Sequence, residues 1–301
     1  MNANDVEVQK KFWTDVGGKI VNREKLVMVQ FPGIYVLLRK QDYNGGSVGS
    51  VINHFGLYVK DFDQAVARWK AAGLNWEPGN NPGQGYLNGP DSVRVEIYEN
   101  KSLSTPMGMH HIHLWVPDPI AAQKWYVQHF GATAGKRAQF ETANVPGTEI
   151  TFNKVDKPQA ATKGRSIDHM GFEVRNIDAF VAKLQAAGIK TDAAIRNSTN
   201  ASALRIVYIT DPWGTMSDWT AQNLRFRISG LSLRPPVRTE VLFAPRRLPP
   251  HIQPAPSFAV SARPLGPNAD MWMGIASSRL MSLISGVRNR ILCEPPSLAH
   301  Y

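Results

Sequence analysis

Cysteine is almost absent from these 301 residues: Cys293 stands alone. One thiol closes no internal disulfide and builds no cysteine-based zinc site. No uncharged apolar run approaches the ~18 residues of a membrane span. Met1 to Lys11 lack the basic start and apolar stretch of a secretory signal, so a cytoplasmic location is the expectation. Lysine is missing from the last 79 residues, which instead hold ten arginines, eleven prolines and only three acids, Glu240, Asp270 and Glu294. Most of the formal charge of +10 therefore belongs to that tail. The remaining body is close to charge balance, so nucleic acid is not expected as a partner.

What the body does have is an internal repeat. Four segments share a cap, an amphipathic helix and a glycine stop: Asp5 to Gly17, Asp61 to Gly73, Asp118 to Gly131 and Asn176 to Gly188. The caps are spaced 56, 57 and 58 residues apart. Asp and Asn suit the N-cap because their side-chain oxygens accept orphan backbone N–H groups, Pro119 suits the first turn, and glycine suits the left-handed stop. An alternating strand precedes three of the helices (VINHFGLYV, HHIHLWV, IDHMGFEV), and short β-type runs broken by Gly, Pro and Asn follow all four. The unit is β-α-β-β-β, an α+β arrangement whose apolar sheet face needs a second unit to bury it.

The strand histidines are in phase. His54, His111 and His169 each stand seven residues before their helix cap. In the first repeat that slot would fall ahead of Met1, and the opening strand is missing; this reads as an N-terminal truncation or a wrongly chosen start. His113, two residues after His111, shares its face; it could line the pocket, and a packed or solvated histidine is the favoured reading. His110 should face the other way.

The repeats, with histidine in the first strand and a carboxylate in the last, resemble the vicinal oxygen chelate superfamily: glyoxalase I, bleomycin-resistance proteins and extradiol dioxygenases. KGRSIDHMGFEVRNIDAFVAKLQAAG…YITDPWGT carries the likeness most closely. The resemblance implies modules paired into two U-shaped sheets, each able to enclose a divalent metal. Taken in chain order, this gives a first pair over residues 1–103, a second over 104–222 and a tail over 223–301. It also implies His111, His169 and Asp218 as ligands, Asp218 standing where the family usually has glutamate. Glu149 is a possible fourth ligand of unfixed register. His54 and Glu96 form half a site, for which a structural role is the favoured reading. Two histidines and a carboxylate suit Fe or Mn, and further oxygen ligands suit Zn or Ni. Arg94 and Glu173 lie on strands near these sites, where each has either an anionic substrate or solvent to face.

The function implied is a metal-dependent lyase, isomerase or dioxygenase acting on a small-molecule substrate with vicinal oxygens. The alternatives are a metal-free protein that sequesters a small molecule, as bleomycin-resistance proteins do, or an inactive, truncated or frameshifted member. The tail is too rich in proline for helix or central strand and is expected to be disordered, apart from a possible helix capped by Asp270. The sequence change near residue 222 is what out-of-frame or read-through translation would give. An incomplete first module would leave a sheet edge open to homodimer formation.

Overall fold

A computed structural model describes residues 1–201, 204–222 and 271–272. It contains the four repeats in order. The first has β1 (Asn2–Ala3), α1 (Val6–Val16), β2 (Lys19–Arg23), β3 (Leu26–Phe31) and β4 (Ile34–Lys40). The second has β5 (Ile52–Val59), α2 (Phe62–Ala71), β6 (Asn75–Pro78), β7 (Gln84–Asn88) and β8 (Arg94–Glu99). The third has β9 (Met107–Val116), α3 (Pro119–Phe130), β10 (Thr133–Arg137), β11 (Phe140–Val145) and β12 (Thr148–Lys154). The fourth has β13 (Met170–Val174), α4 (Ile177–Ala186), β14 (Arg196–Asn197), β15 (Leu204–Thr210) and β16 (Met216–Gln222). The fold is α+β, as the repeat implied. The first repeat does open with a strand, contrary to the expectation from sequence that it is missing: Asn2 and Ala3 form β1, parallel to β4.

Local chemistry sets the helices. Asp5, Asp61, Asp118 and Asn176 each accept backbone N–H groups of the first turn, which satisfies donors that have no partner inside a helix. Gly131 closes α3 in the left-handed region at φ 71°, a conformation that costs glycine least.

Sheet pairing departs from chain order. The strands of the second and third repeats form one eight-stranded sheet, β10-β11-β12-β9-β5-β8-β7-β6, joined at its centre by the antiparallel pair β5–β9. The first repeat makes a four-stranded sheet, and the fourth, with Met271–Trp272 added beside β13, a five-stranded one. These two meet where β5 and β9 would, through the Asn2 amide N–H donating to the Ser166 carbonyl and the Asn2 side chain reaching Arg165 and Asp168. So the sheet partners are two with three, and one beside four, in place of the chain-order pairs. The reason lies in the β5–β9 register, which interleaves Phe55 with Ile112 and Ile52 with Leu114; all four are buried.

Helices cover one face of the eight-stranded sheet. Tyr126 of α3 packs on Phe152 of β12 at 5.5 Å between ring centroids, and Trp69 of α2 packs on Trp76 of β6 at the same separation. A contiguous hydrophobic core runs from Phe12 and Trp13 through Leu57 and Leu114 to Phe172 and Trp219. At the far end, the turn Asp211 to Gly214 is fastened from inside: the Tyr126 hydroxyl donates to Asp211 Oδ2 at 2.7 Å, while Asp211 Oδ1 accepts from the Trp213 and Thr215 amides. Beyond residue 222 the described backbone is the pair Met271–Trp272, antiparallel to β13. Tail disorder and the Asp270-capped helix lie outside the described residues.

Candidate metal centre

The face of the eight-stranded sheet turned away from the helices carries polar side chains. Residues alternate across a strand, so His54, Gly56 and Tyr58 of β5 share this face with Arg94, Glu96 and Tyr98 of β8. In the β5–β9 ladder His54 stands opposite His113 and Gly56 opposite His111. The two strands are related by a local two-fold that exchanges His54 with His111 and Gly56 with His113. Glycine at one of those positions makes room for the His111 ring; histidine at the other crowds His54.

The result is a buried cluster. His54, Glu96, His111 and His113 offer ligand atoms that all lie within 4.8 Å of one another. Glu96 Oε2 is 3.2 Å from His54 Nε2 and 3.2 Å from His111 Nε2, and His113 Nδ1 is 3.1 Å from His54 Nε2. The other oxygen of Glu96 accepts from Gln84 Nε2 at 2.5 Å and from the Tyr86 hydroxyl at 2.8 Å. Burial alone would favour a protonated Glu96; the contacts from His111 and His54 reverse this and hold its carboxyl below the usual range. Burial lowers His111 to about 4, against the pull of Glu96, and lowers His113 strongly. At neutral pH Glu96 is thus a carboxylate beside the neutral imidazoles of His111 and His113, the protonation state of metal ligands.

A pair of bulges aims these side chains. The ladder skips Asn53 on β5 and His110 on β9, the residues directly before the two symmetry-related histidines. A bulge bends the strand and redirects its side chains. His110 consequently turns onto the site face, against the alternation expected from sequence, and stacks on Tyr58 at 4.0 Å. Asn53 Oδ1 lies 2.8 Å from His54 Nδ1. This contact fixes the ring so that Nε2 of His54 faces into the cluster. The fourth repeat uses the same device: Asp168 Oδ1 is 2.6 Å from His169 Nδ1.

The structure divides the ligand set expected from sequence. His111 sits in the eight-stranded sheet, whereas His169, just before β13, and Asp218, on β16, belong to the five-stranded sheet. His111 is joined by His54 and Glu96, which sequence had given a structural role, and by His113. Among the described residues no other group of three or more His, Cys, Asp or Glu side chains gathers in this way. The register of the last strands is also fixed. Glu96 lies beside Gly56 and Asp218 beside Gly171, each two residues past its histidine. The matching residue of the third repeat is Thr151, beside His113. Glu149, two residues earlier, is held by Arg137 Nε and accepts from the Thr151 hydroxyl at 2.9 Å. It neighbours the cluster with its carboxylate engaged elsewhere. Asp218 is half-buried, and desolvation raises its carboxyl, with His169 pulling the other way.

Sequence reasoning placed His113 on the right face but gave it a packed or solvated role; Asn53, which it left out, was visible as the neighbour of a phased histidine. Gln84 and Tyr86 had no signal, because their role depends on the β7–β8 register.

The sequence profile of the Glyoxalase/Bleomycin resistance protein/Dioxygenase superfamily matches residues 108–217. This segment belongs to that superfamily. Solved structures extend the likeness to the other repeats. Glyoxalase I from Zea mays superposes with a TM-score of 0.56 at 16% identity, covering 73% of this chain and 89% of the maize chain. A putative dioxygenase from Bacillus subtilis gives 0.53 at 12% identity, covering 73% and 83%. At such identities the likeness is one of fold. No curated protein sequence gives a significant match to the chain. The superfamily's β-α-β-β-β modules account for the repeat, while the joining of modules two and three determines which slots face each other.

Proposed function

We propose that the eight-stranded sheet is the active site of a divalent-metal enzyme acting on a small substrate with neighbouring oxygens. The observation that carries this reading is the convergence of His54, Glu96, His111 and His113 in a buried cluster where Nδ1 of His111 and Nε2 of His113 lack any hydrogen-bond partner. An unpaired buried polar group costs ~1–3 kcal/mol, so two such atoms in one cluster are difficult to explain by packing. An ion ligated by their lone pairs would satisfy them.

His54, Glu96 and His111 would hold the ion, with His113 as a further nitrogen donor. Imidazole and carboxylate together suit Fe, Mn, Ni or Zn. When bound, such an ion supplies Lewis acidity towards an oxygen pair and neutralises charge that develops on it. The rest is this chain's own work. Asn53 orients His54, Gln84 and Tyr86 hold the far oxygen of Glu96, and Tyr98 and Phe140 shield the rings of His111 and His113. The metal-free sequestering alternative would leave the orphaned imidazole nitrogens unpaired.

Metal analysis with titration calorimetry on the parent, His111→Ala and Glu96→Gln tests this reading. One divalent ion per chain in the parent and loss of it in both variants is the expected result. A parent that takes up no Fe, Mn, Ni or Zn would end it.

A further inference from the structure

A second recognition element lies on the same sheet face, nearer its edge. Asn75, Asn88 and Arg94 stand side by side across β6, β7 and β8, joined by the pairings Asn75 with Asn88 and Asn88 with Arg94. They line an open groove of about 510 Å³, within the size range of small-ligand pockets. Its other wall includes Ser92 and Val48; Val48 is 52% exposed, an apolar lip facing solvent. The loop bearing Val48 is pinned to the sheet by Ser47, whose amide donates to the Ser92 carbonyl and whose hydroxyl accepts from the Arg94 amide, both at 3.0 Å. The floor is therefore anchored.

Arg94 is preorganised and under-used. Its guanidinium lies over the Tyr86 ring at 3.9 Å from the centroid, a stacking that fixes its plane. Its Nε is buried with no hydrogen-bond partner. The acid facing it, Glu77, is 3.6 Å away and 53% exposed, so that pair is weak. A planar guanidinium edge flanked by two amides matches a carboxylate, which takes paired N–H donors. Tyr86 connects this groove to the metal centre, because the same ring that carries Arg94 donates its hydroxyl to Glu96.

We infer that the groove of Asn75, Asn88 and Arg94 is a substrate subsite for a carboxylate borne on an arm extending from the oxygen pair that reacts at His54, Glu96 and His111. This rests on the proposed metal reading for the reacting end only; the carboxylate end stands on the groove itself. From sequence alone a solvated charge is the favoured reading of Arg94; its stacking on Tyr86 and its weak pairing with Glu77 favour the substrate.

The test uses hydroxamates, which present two neighbouring oxygens. Calorimetry on the full-length, manganese-loaded protein compares suberic monohydroxamate, which ends in a carboxylate, with octanohydroxamate, which does not, and with the tailless acetohydroxamate. The acid should bind at least ~10-fold more tightly than its neutral counterpart, as for a charge-assisted pair. Arg94→Met should erase that difference and leave acetohydroxamate unchanged. Equal affinities in the parent would overturn the subsite. Failure of all three probes to bind would count against the metal reading alone. The subsite is then decided on metal-free protein titrated with suberate: NMR shifts at the Asn75 and Asn88 side-chain amides and Arg94 Nε, absent in Arg94→Met, support it, and their absence in the parent refutes it.

Discussion

Gly56 lies directly opposite His111 in the β5–β9 ladder, and a Cβ placed on Gly56 would sit 2.4 Å from the imidazole Cε1 and Nδ1. The ring occupies the space a side chain would need. Gly171 has the same relationship to Asp218, whose Oδ1 would be 2.4 Å from an added Cβ. In both sheets a glycine two residues past the phased histidine lets a polar side chain cross the strand.

Gly56→Ala should therefore displace the His111 ring. The cost expected for overpacking is ~1–3 kcal/mol, seen as a lower unfolding midpoint, together with weakened metal uptake. A variant with parent stability and parent metal content would show that the ring has room to move.

His111→Ala and His169→Ala should behave differently, although both histidines hold the same place in their repeats. The first removes a member of the buried cluster and should abolish stoichiometric metal binding. The second removes a residue of the other sheet, paired with Asp168, and should leave metal content unchanged. Elemental analysis of the two variants reads this directly, and a loss of metal in His169→Ala would contradict the division into two sheets.

Asn53→Ala should weaken metal affinity by ~10–100-fold without unfolding the protein, because it frees His54 Nδ1 from its orienting partner. Asn53→Asp, which copies the Asp168–His169 arrangement, should retain affinity. Competition with a chelator of known strength measures both.

Tyr126→Phe removes the hydroxyl donor of Asp211. Burial already raises the Asp211 carboxyl, partly offset by hydrogen bonds from Tyr126 and Thr215. A raised folded pKa means the folded state holds the proton more tightly than the unfolded chain, whose carboxylate titrates near ~3.9. Stability from this group is present below that value and falls as pH rises through the folded pKa. The variant should lose ~1–3 kcal/mol at neutral pH and less near pH 4. Thermal unfolding at both pH values checks the sign; an equal loss at each would remove Asp211 titration as the cause.

The sequence by itself determined the modules. Caps at Asp5, Asp61, Asp118 and Asn176, the glycines after each helix and the alternation of the opening strands are short-range signals. Each acts within a few residues, and each reappears in the structure where the repeat put it. The phase of His54, His111 and His169 was legible for the same reason. Which modules share a sheet was decided only in three dimensions. Four similar units carry similar edges, so chain order offers no preference that outweighs the fit of Ile52 and Phe55 of β5 against Ile112 and Leu114 of β9. That long-range ladder moved His111 away from His169 and brought it to His54 and Glu96. Register then finished the site. A shift of two residues distinguishes Thr151 from Glu149, and two bulges turn Asn53 and His110 to new tasks. Strand pairing and bulges follow from contacts between residues far apart in the chain, which leave no local pattern to read.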